Sequence, residues 1–142
     1  MNTDSNLALV YRSPALFFSF PNLIAAESTR HGGVSPTPFA SLNLGINTAD
    51  APANVEENRR RFFAAIDAQT EQFASSHQVH GTEILYAMEA GRFDGYDALI
   101  TDKPGLLIGV TVADCVRFLC MIMNIRPLQP SMRAGGERLV VL

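Results

Sequence analysis

The sequence predicts a layered α/β domain on three observations. These are a helical repeat from about Pro52 to Ala68, an apolar run from Leu106 to Val112, and short strand-like segments punctuated by Gly and Pro. An apolar run without polar alternation is what a strand covered on both faces carries. At 142 residues the chain is one domain's worth, enough to bury roughly two-thirds of its unfolded surface. Hydrophobic residues at 47% against charged residues at 18% favour a globular chain over a disordered one. The net charge of −3 leaves no basic footprint for nucleic acid, so small neutral or zwitterionic ligands suit it better.

The segment Met1-Asn2-Thr3-Asp4 lacks the basic stretch of a signal peptide, and no apolar run approaches the roughly 20 residues of a membrane span. A cytoplasmic location with no membrane partner is the expectation. Cys115 and Cys120 stand too close together on one apparent strand to form a disulfide staple, and the cytosol would reduce them. A metal-binding or catalytic role suits one of them better.

The elements follow in order. Ala15 to Phe20 is apolar and aromatic and predicts a strand. Ser28 to Pro38 is a polar loop, with Gly32-Gly33 free to take positive φ and Pro36 and Pro38 fixing it locally. Ser41 to Gly45 predicts a short strand with Leu42 and Leu44 on one face and Asn43 on the other, toward a cleft or toward water. The helix from Pro52 to Ala68 has Asp50 as its expected cap, proline in its first turn, and Glu56 and Glu57 near the positive end of its dipole. Val55, Phe62 and Ile66 form its core stripe. Arg59, Arg60 and Arg61 are expected on its solvated face; guidance of a phosphate is the disfavoured alternative, since no Gly-rich phosphate loop stands beside them.

From Phe73 the chain predicts strands again, with Ser76 to His80 leading into a turn at Gly81 and Glu83 to Ala87 extended. Asp97 to Asp102 and Leu106 to Val112 form two further strands joined at Pro104-Gly105. His77 and His80, three apart, fall on opposite faces of a strand and are not paired.

Two separated motifs carry the chemistry. Gln78-Val79-His80-Gly81 and Ala113-Asp114-Cys115 each offer one soft-metal ligand where an extended run meets a turn. A catalytic zinc takes three protein ligands, so these two leave one to be found. Each residue also has an ordinary structural use, the imidazole as a satisfied polar group and the thiol as inert core. Asp114 alone would raise the thiol's pKa, so reactivity at Cys115 needs a metal or another cation.

Six motifs in register now permit a family to be named. Thr29-Arg30-His31-Gly32-Gly33-Val34-Ser35, Ser41-Leu42-Asn43-Leu44-Gly45, Glu57-Asn58-Arg59, Gln78-Val79-His80-Gly81, Asp97-Ala98-Leu99-Ile100-Thr101 and Ala113-Asp114-Cys115 closely resemble the bacterial YfiH-like family. That family is also labelled multicopper polyphenol oxidase, laccase-domain protein and purine nucleoside phosphorylase. The resemblance runs from about Phe18 to Leu119. It implies a three-layer α/β/α fold with a mixed sheet, and a zinc ion held by two His and one Cys, of which His80 and Cys115 are two. It further implies phosphorolysis of adenosine, inosine, guanosine or methylthioadenosine, with adenosine deamination beside it. Nucleoside and phosphate are then the small-molecule partners, and Asn43 and Asp114 the candidate catalytic residues. Some members resemble copper-dependent polyphenol oxidases, which makes copper the alternative metal, and one branch is associated with editing peptidoglycan precursors. Affinity order favours copper and cellular availability zinc. No dimerisation signature is present.

The chain departs from the pattern after the cysteine. Where the family places its second His in His-Ala-Gly-Trp-Arg-Gly, this sequence has Met132-Arg133-Ala134-Gly135-Gly136-Glu137-Arg138, and no histidine follows His80. Synonymous codons for Met132 to Val141, moved by one base, encode His-Ala-Gly-Trp-Arg-Gly-Thr-Leu-Gly-Gly. Residues 1–119 are therefore expected to be the N-terminal part of a YfiH-like domain, incomplete at its C-terminus, and 120–142 a frameshifted, non-native tail. Such a chain is expected to be inactive or a non-catalytic fragment. Arg117, where many relatives carry Pro, has no explanation.

Overall fold

A computed structural model of the protein describes residues 10–112 and 138–141. The fold is α/β with a mixed sheet, as the sequence predicts. Six strands lie in the order β1, β2, β8, β7, β3, β5: β1 Tyr11–Arg12, β2 Ile24–Ser28, β3 Phe73–His77, β5 Gly91–Asp94, β7 Leu107–Gly109 and β8 Arg138–Val141. Among the described residues the β1–β2 pair is antiparallel and the other pairs of this sheet are parallel. Two further strands, β4 Ile84–Tyr86 and β6 Ala98–Ile100, form a separate parallel ribbon. Strand β8 comes from within the tail read as frameshifted. Its Leu139-Val140-Val141 is an apolar run with two β-branched valines, of the kind a central parallel strand takes.

Side-chain parity sorts the core. Phe73 and Leu107, partners in register, face the α-helix α1 Pro52–Ala65. Their neighbours Ala74 and Ile108 face the ribbon with Leu106 and Ala87. Val55, Phe62 and Ile66 are all buried, as the helical stripe predicts, and Phe63 joins them. Phe62 and Phe63 meet edge to face at 5.5 Å.

Several expected elements differ. Ala15 to Phe20 is no strand: Pro14 opens a 3₁₀ turn over Ala15–Phe17, and Leu16 and Phe18 are exposed. The strand of this region is β2, which follows Pro21. Ser41 to Gly45 has the predicted alternation, with Leu42 and Leu44 buried, but no ladder partner. The helix ends at Ala65 and not Ala68. Asp67 takes φ 54°, Ala68 N–H donates to Phe63 O at 2.9 Å and Asp67 N–H to Ala64 O at 3.2 Å, which is a Schellman closure. Its cap is Ala51, not Asp50. Asp50 stands one residue earlier, and its carboxylate accepts the Ala51 N–H and the Asn54 amide.

Candidate active site

A cavity of about 330 Å³ opens outside the carboxyl ends of β3 and β7, where parallel sheets place their ligands. Ser75 to Gln78 enter it from the end of β3, Thr111 and Val112 from beyond β7, and Asn47, Arg59 and Arg92 from the loop before α1, from α1 and from β5. His80 completes the wall.

His80 is held there through its backbone. It takes φ 58°, a left-handed conformation that costs a non-glycine residue about 1 kcal/mol or more. Asp97 supports it: one carboxylate oxygen accepts the N–H groups of Val79 at 3.0 Å and His80 at 2.8 Å, and the other accepts Gly81 N–H at 2.8 Å. A Cβ on Gly81 would stand 3.3 Å from that second oxygen, so glycine permits the close approach. Burial pushes Asp97 up, but the three N–H groups and the charge of His80 outweigh it and hold the carboxyl below its ordinary range. Among the described residues no hydrogen bond reaches the His80 ring.

His77, which strand geometry separates from His80, lines the same cavity because the chain turns between them. Arg92 Nη2 donates to Asn47 Oδ1 at 3.1 Å, so the Asn47 amide nitrogen faces His77 Nδ1, also at 3.1 Å. An amide nitrogen only donates, so Nδ1 accepts.

The three arginines divide. Arg60 and Arg61 lie outward and share Glu57, whose pKa falls to about 2 through hydrogen bonds first from Arg60 and then from Arg61. Arg59 does not belong to that solvated face. Its guanidinium lies 5.8 Å and 5.5 Å from the ring centroids of Phe63 and Phe73 and donates to Leu44 O at 3.3 Å. Burial, and then Arg92, lower its pKa.

Asn43 sits behind the cavity in a polar network. Its amide donates to Thr48 Oγ1 at 2.9 Å and Asp50 Oδ2 at 3.0 Å, and its oxygen accepts Gly45 N–H at 3.1 Å. The Ser35 hydroxyl also donates to Asp50, whose pKa is lowered by Ser35 against the cost of burial, with Asn43, Asn54 and Ala51 assisting. Asn58, fully buried on α1, accepts from Val34 N–H and donates to Ser35 Oγ and Asn43 O. Thr48 and Asp50 in turn line a second cavity of about 340 Å³ that shares Arg59 with the first.

Asp114 and Cys115 lie outside the described residues. Val112, three positions before Cys115, borders the cavity that His80 borders. Among the described residues no three His, Cys, Asp or Glu side chains converge on a metal position. At the cavity the open imidazole of His80, of suitable softness, fits as a metal ligand but does not make a site alone.

The family model described as "Multi-copper polyphenol oxidoreductase laccase" matches residues 24–124. The chain belongs to this family. A purine nucleoside phosphorylase of Deinococcus radiodurans is 44% identical over 101 residues, 70% of this chain and 39% of the relative. The purine nucleoside phosphorylase YfiH of Escherichia coli K12 is 41% identical over 101 residues, 67% of this chain and 39% of its own. The crystal structure of YlmD from Geobacillus stearothermophilus matches with a TM-score of 0.67 at 31% identity, covering 75% of this chain and 45% of that one. The chain thus spans 39% of the length of these two curated relatives. The YfiH-like resemblance and its mixed α/β fold hold, and the family is one of enzymes. Among the described residues no helix is long and apolar enough to cross a membrane.

Proposed function

We propose that the domain to which this chain belongs is a zinc-dependent purine nucleoside phosphorylase with adenosine deaminase activity, and that the cavity at His80 is its active site. The observation that carries the reading is the Asp97 grip. Three consecutive N–H groups are spent on one carboxylate, and the result is an imidazole presented at a concave polar surface with its ring unengaged. The names of the relatives supply the reaction.

In this proposal His80 and Cys115 hold the zinc, which when bound supplies a Lewis acid at an open coordination position. The chain's own groups bind and orient. Ser75, Ser76, Gln78 and Asn47 offer hydrogen bonds to a ribose. Asp114, two residues beyond Val112, carries the proton that the departing purine needs as the C1′–N9 bond breaks and a phosphate oxygen bonds to C1′. Asn43 is a positioning residue acting through Thr48 and Asp50. With Met132-Arg133 standing where the family's second His belongs, this chain lacks the third ligand and is inactive.

A reading-frame-restored protein tests this. It should release adenine from adenosine in phosphate and form inosine without it, and His80→Ala or Cys115→Ala should abolish both. The 142-residue chain should do neither. Full turnover after chelation, or in Cys115→Ala, would sink the metal-centred reading. Oxidation of phenols by the copper-loaded protein without nucleoside turnover would favour the polyphenol oxidase instead.

A further inference from the structure

His77 and His80 line one cavity, yet their rings offer it opposite things. Among the described residues no hydrogen bond reaches the His80 ring, so a lone pair is open there for a metal. His77 has none to give. A guanidinium only donates, so Arg92 Nη2 fixes Asn47 Oδ1 as its acceptor, and the Asn47 amide nitrogen is left to donate to His77 Nδ1. With Nδ1 accepting, the neutral ring carries its proton on Nε2. No hydrogen bond among the described residues uses that Nε2–H, which is therefore the polar group His77 brings to the cavity wall.

The support of this ring is long in sequence and short in space. Arg92 stands on β5, Asn47 in the loop before α1 and His77 at the end of β3, and separations of 45 and 30 residues are closed by two contacts of 3.1 Å. His77 is exposed at its strand end, where packing alone asks for no such support. A group that only donates suits an atom that only accepts. The hydroxyls and amide of Ser75, Ser76 and Gln78 both donate and accept, which matches the hydroxyls of a ribose. A purine ring nitrogen without hydrogen only accepts. We infer that His77, oriented by Asn47 and Arg92, is a catalytic residue that donates a hydrogen bond from Nε2 to N3 or N7 of the purine, an inference that rests on the proposed nucleoside reading. Each of these nitrogens is one carbon removed from N9 and takes up negative charge as the C1′–N9 bond breaks and its electron pair stays with the base. His77 keeps its own proton and stabilises that charge, as a fixed donor aimed at developing charge does. The proton that neutralises the base comes from Asp114 in the proposed reaction.

The test is calorimetric titration of the 142-residue chain with adenosine, 3-deazaadenosine and 7-deazaadenosine, in metal-free buffer without phosphate so that binding is read without turnover. At least one deaza analogue should bind about fivefold to tenfold more weakly than adenosine, the loss of one hydrogen bond. Which analogue it is assigns the accepting nitrogen. His77→Phe should bind adenosine and that analogue alike, whereas His77→Gln, whose amide restores a donor near Nε2, should recover part of the preference. His77 is exposed, so both variants fold. Equal binding of all three nucleosides by the parent chain, discrimination that persists in His77→Phe, or imidazole nitrogen chemical shifts that place the His77 proton on Nδ1 would overturn the inference and leave the nucleoside reading standing. Absence of saturable adenosine binding would sink that reading and the inference with it.

Discussion

The two faces of the main sheet are packed to different depths. On the α1 face Phe62, Phe63, Phe73 and Leu107 are essentially sealed from solvent, and a buried network of Ser35, Asn43, Asp50 and Asn58 locks the long loop to the helix. Among the described residues the buried cluster on the ribbon face is four residues, two of them alanines, and Ile84, Tyr86 and Ile100 are exposed. Among the described residues the larger core therefore lies on the helix face, while the ribbon side, through Asp97 just before β6, holds the His80 loop in its conformation. One face carries the larger described core; the other positions the loop of the proposed site.

Core truncation should separate the faces most widely. Phe62→Ala should cost about 3–5 kcal/mol in denaturant unfolding, the usual range for a buried aromatic, and Leu99→Ala on the ribbon, half-buried, about a third of that. Equal costs would abolish the distinction. Next comes the polar lock. Asn58→Ala strands Val34 N–H and Asn43 O and should cost about 1–3 kcal/mol. A neutral result would mean water replaces the amide.

Asp97→Ala should act locally. Hydrogen exchange at the amides of Val79, His80 and Gly81 should rise about tenfold or more, while exchange at Phe62 and Phe63 stays unchanged. A uniform rise across the chain would make Asp97 a general stability residue. The smallest effect is Glu57's. Its folded pKa of about 2 lies below its ordinary 4.5, so its contribution is present above the higher value and is lost as pH falls toward the lower. Because the pair is exposed, the change is slight, and Glu57→Gln should flatten the acid limb of the unfolding midpoint between about pH 5 and pH 2.

Legibility in the sequence followed the same division. The stripe of Val55, Phe62 and Ile66 is a local periodicity and reads correctly, and the apolar run from Leu106 to Val112 supplies a strand, though only over Leu107–Gly109, with Thr111 exposed. Asn58 left a signal too, a polar residue three after Val55 and four before Phe62 on the apolar stripe. Ala15 to Phe20 read as a strand because apolar content alone cannot see that Pro14 starts a turn. The Asp97 grip spans 16 to 18 residues, and Arg92 meets Asn47 across 45. Contacts at such separations leave no periodic trace. Arg59 looked solvated because it adjoins Arg60 and Arg61 in the sequence, whereas helical spacing sets it four after Val55 and four before Phe63, toward the rings of Phe63 and Phe73. Cys115 and Asp114 lie outside the described residues, so for them the sequence motifs stand as expectations.

The most direct test of the site is cobalt(II) titration of the 142-residue chain, followed by thiolate-to-metal charge-transfer absorption. If His80 and Cys115 share a metal, their nitrogen and sulfur stand roughly 3.5–4 Å apart, set by bonds near 2.1 and 2.3 Å. The absorption should appear weakly in the parent chain, strengthen in the frame-restored protein, and vanish in both His80→Ala and Cys115→Ala. Undiminished absorption in His80→Ala would show that Cys115 binds metal with other partners and that the cavity at His80 is not the metal centre.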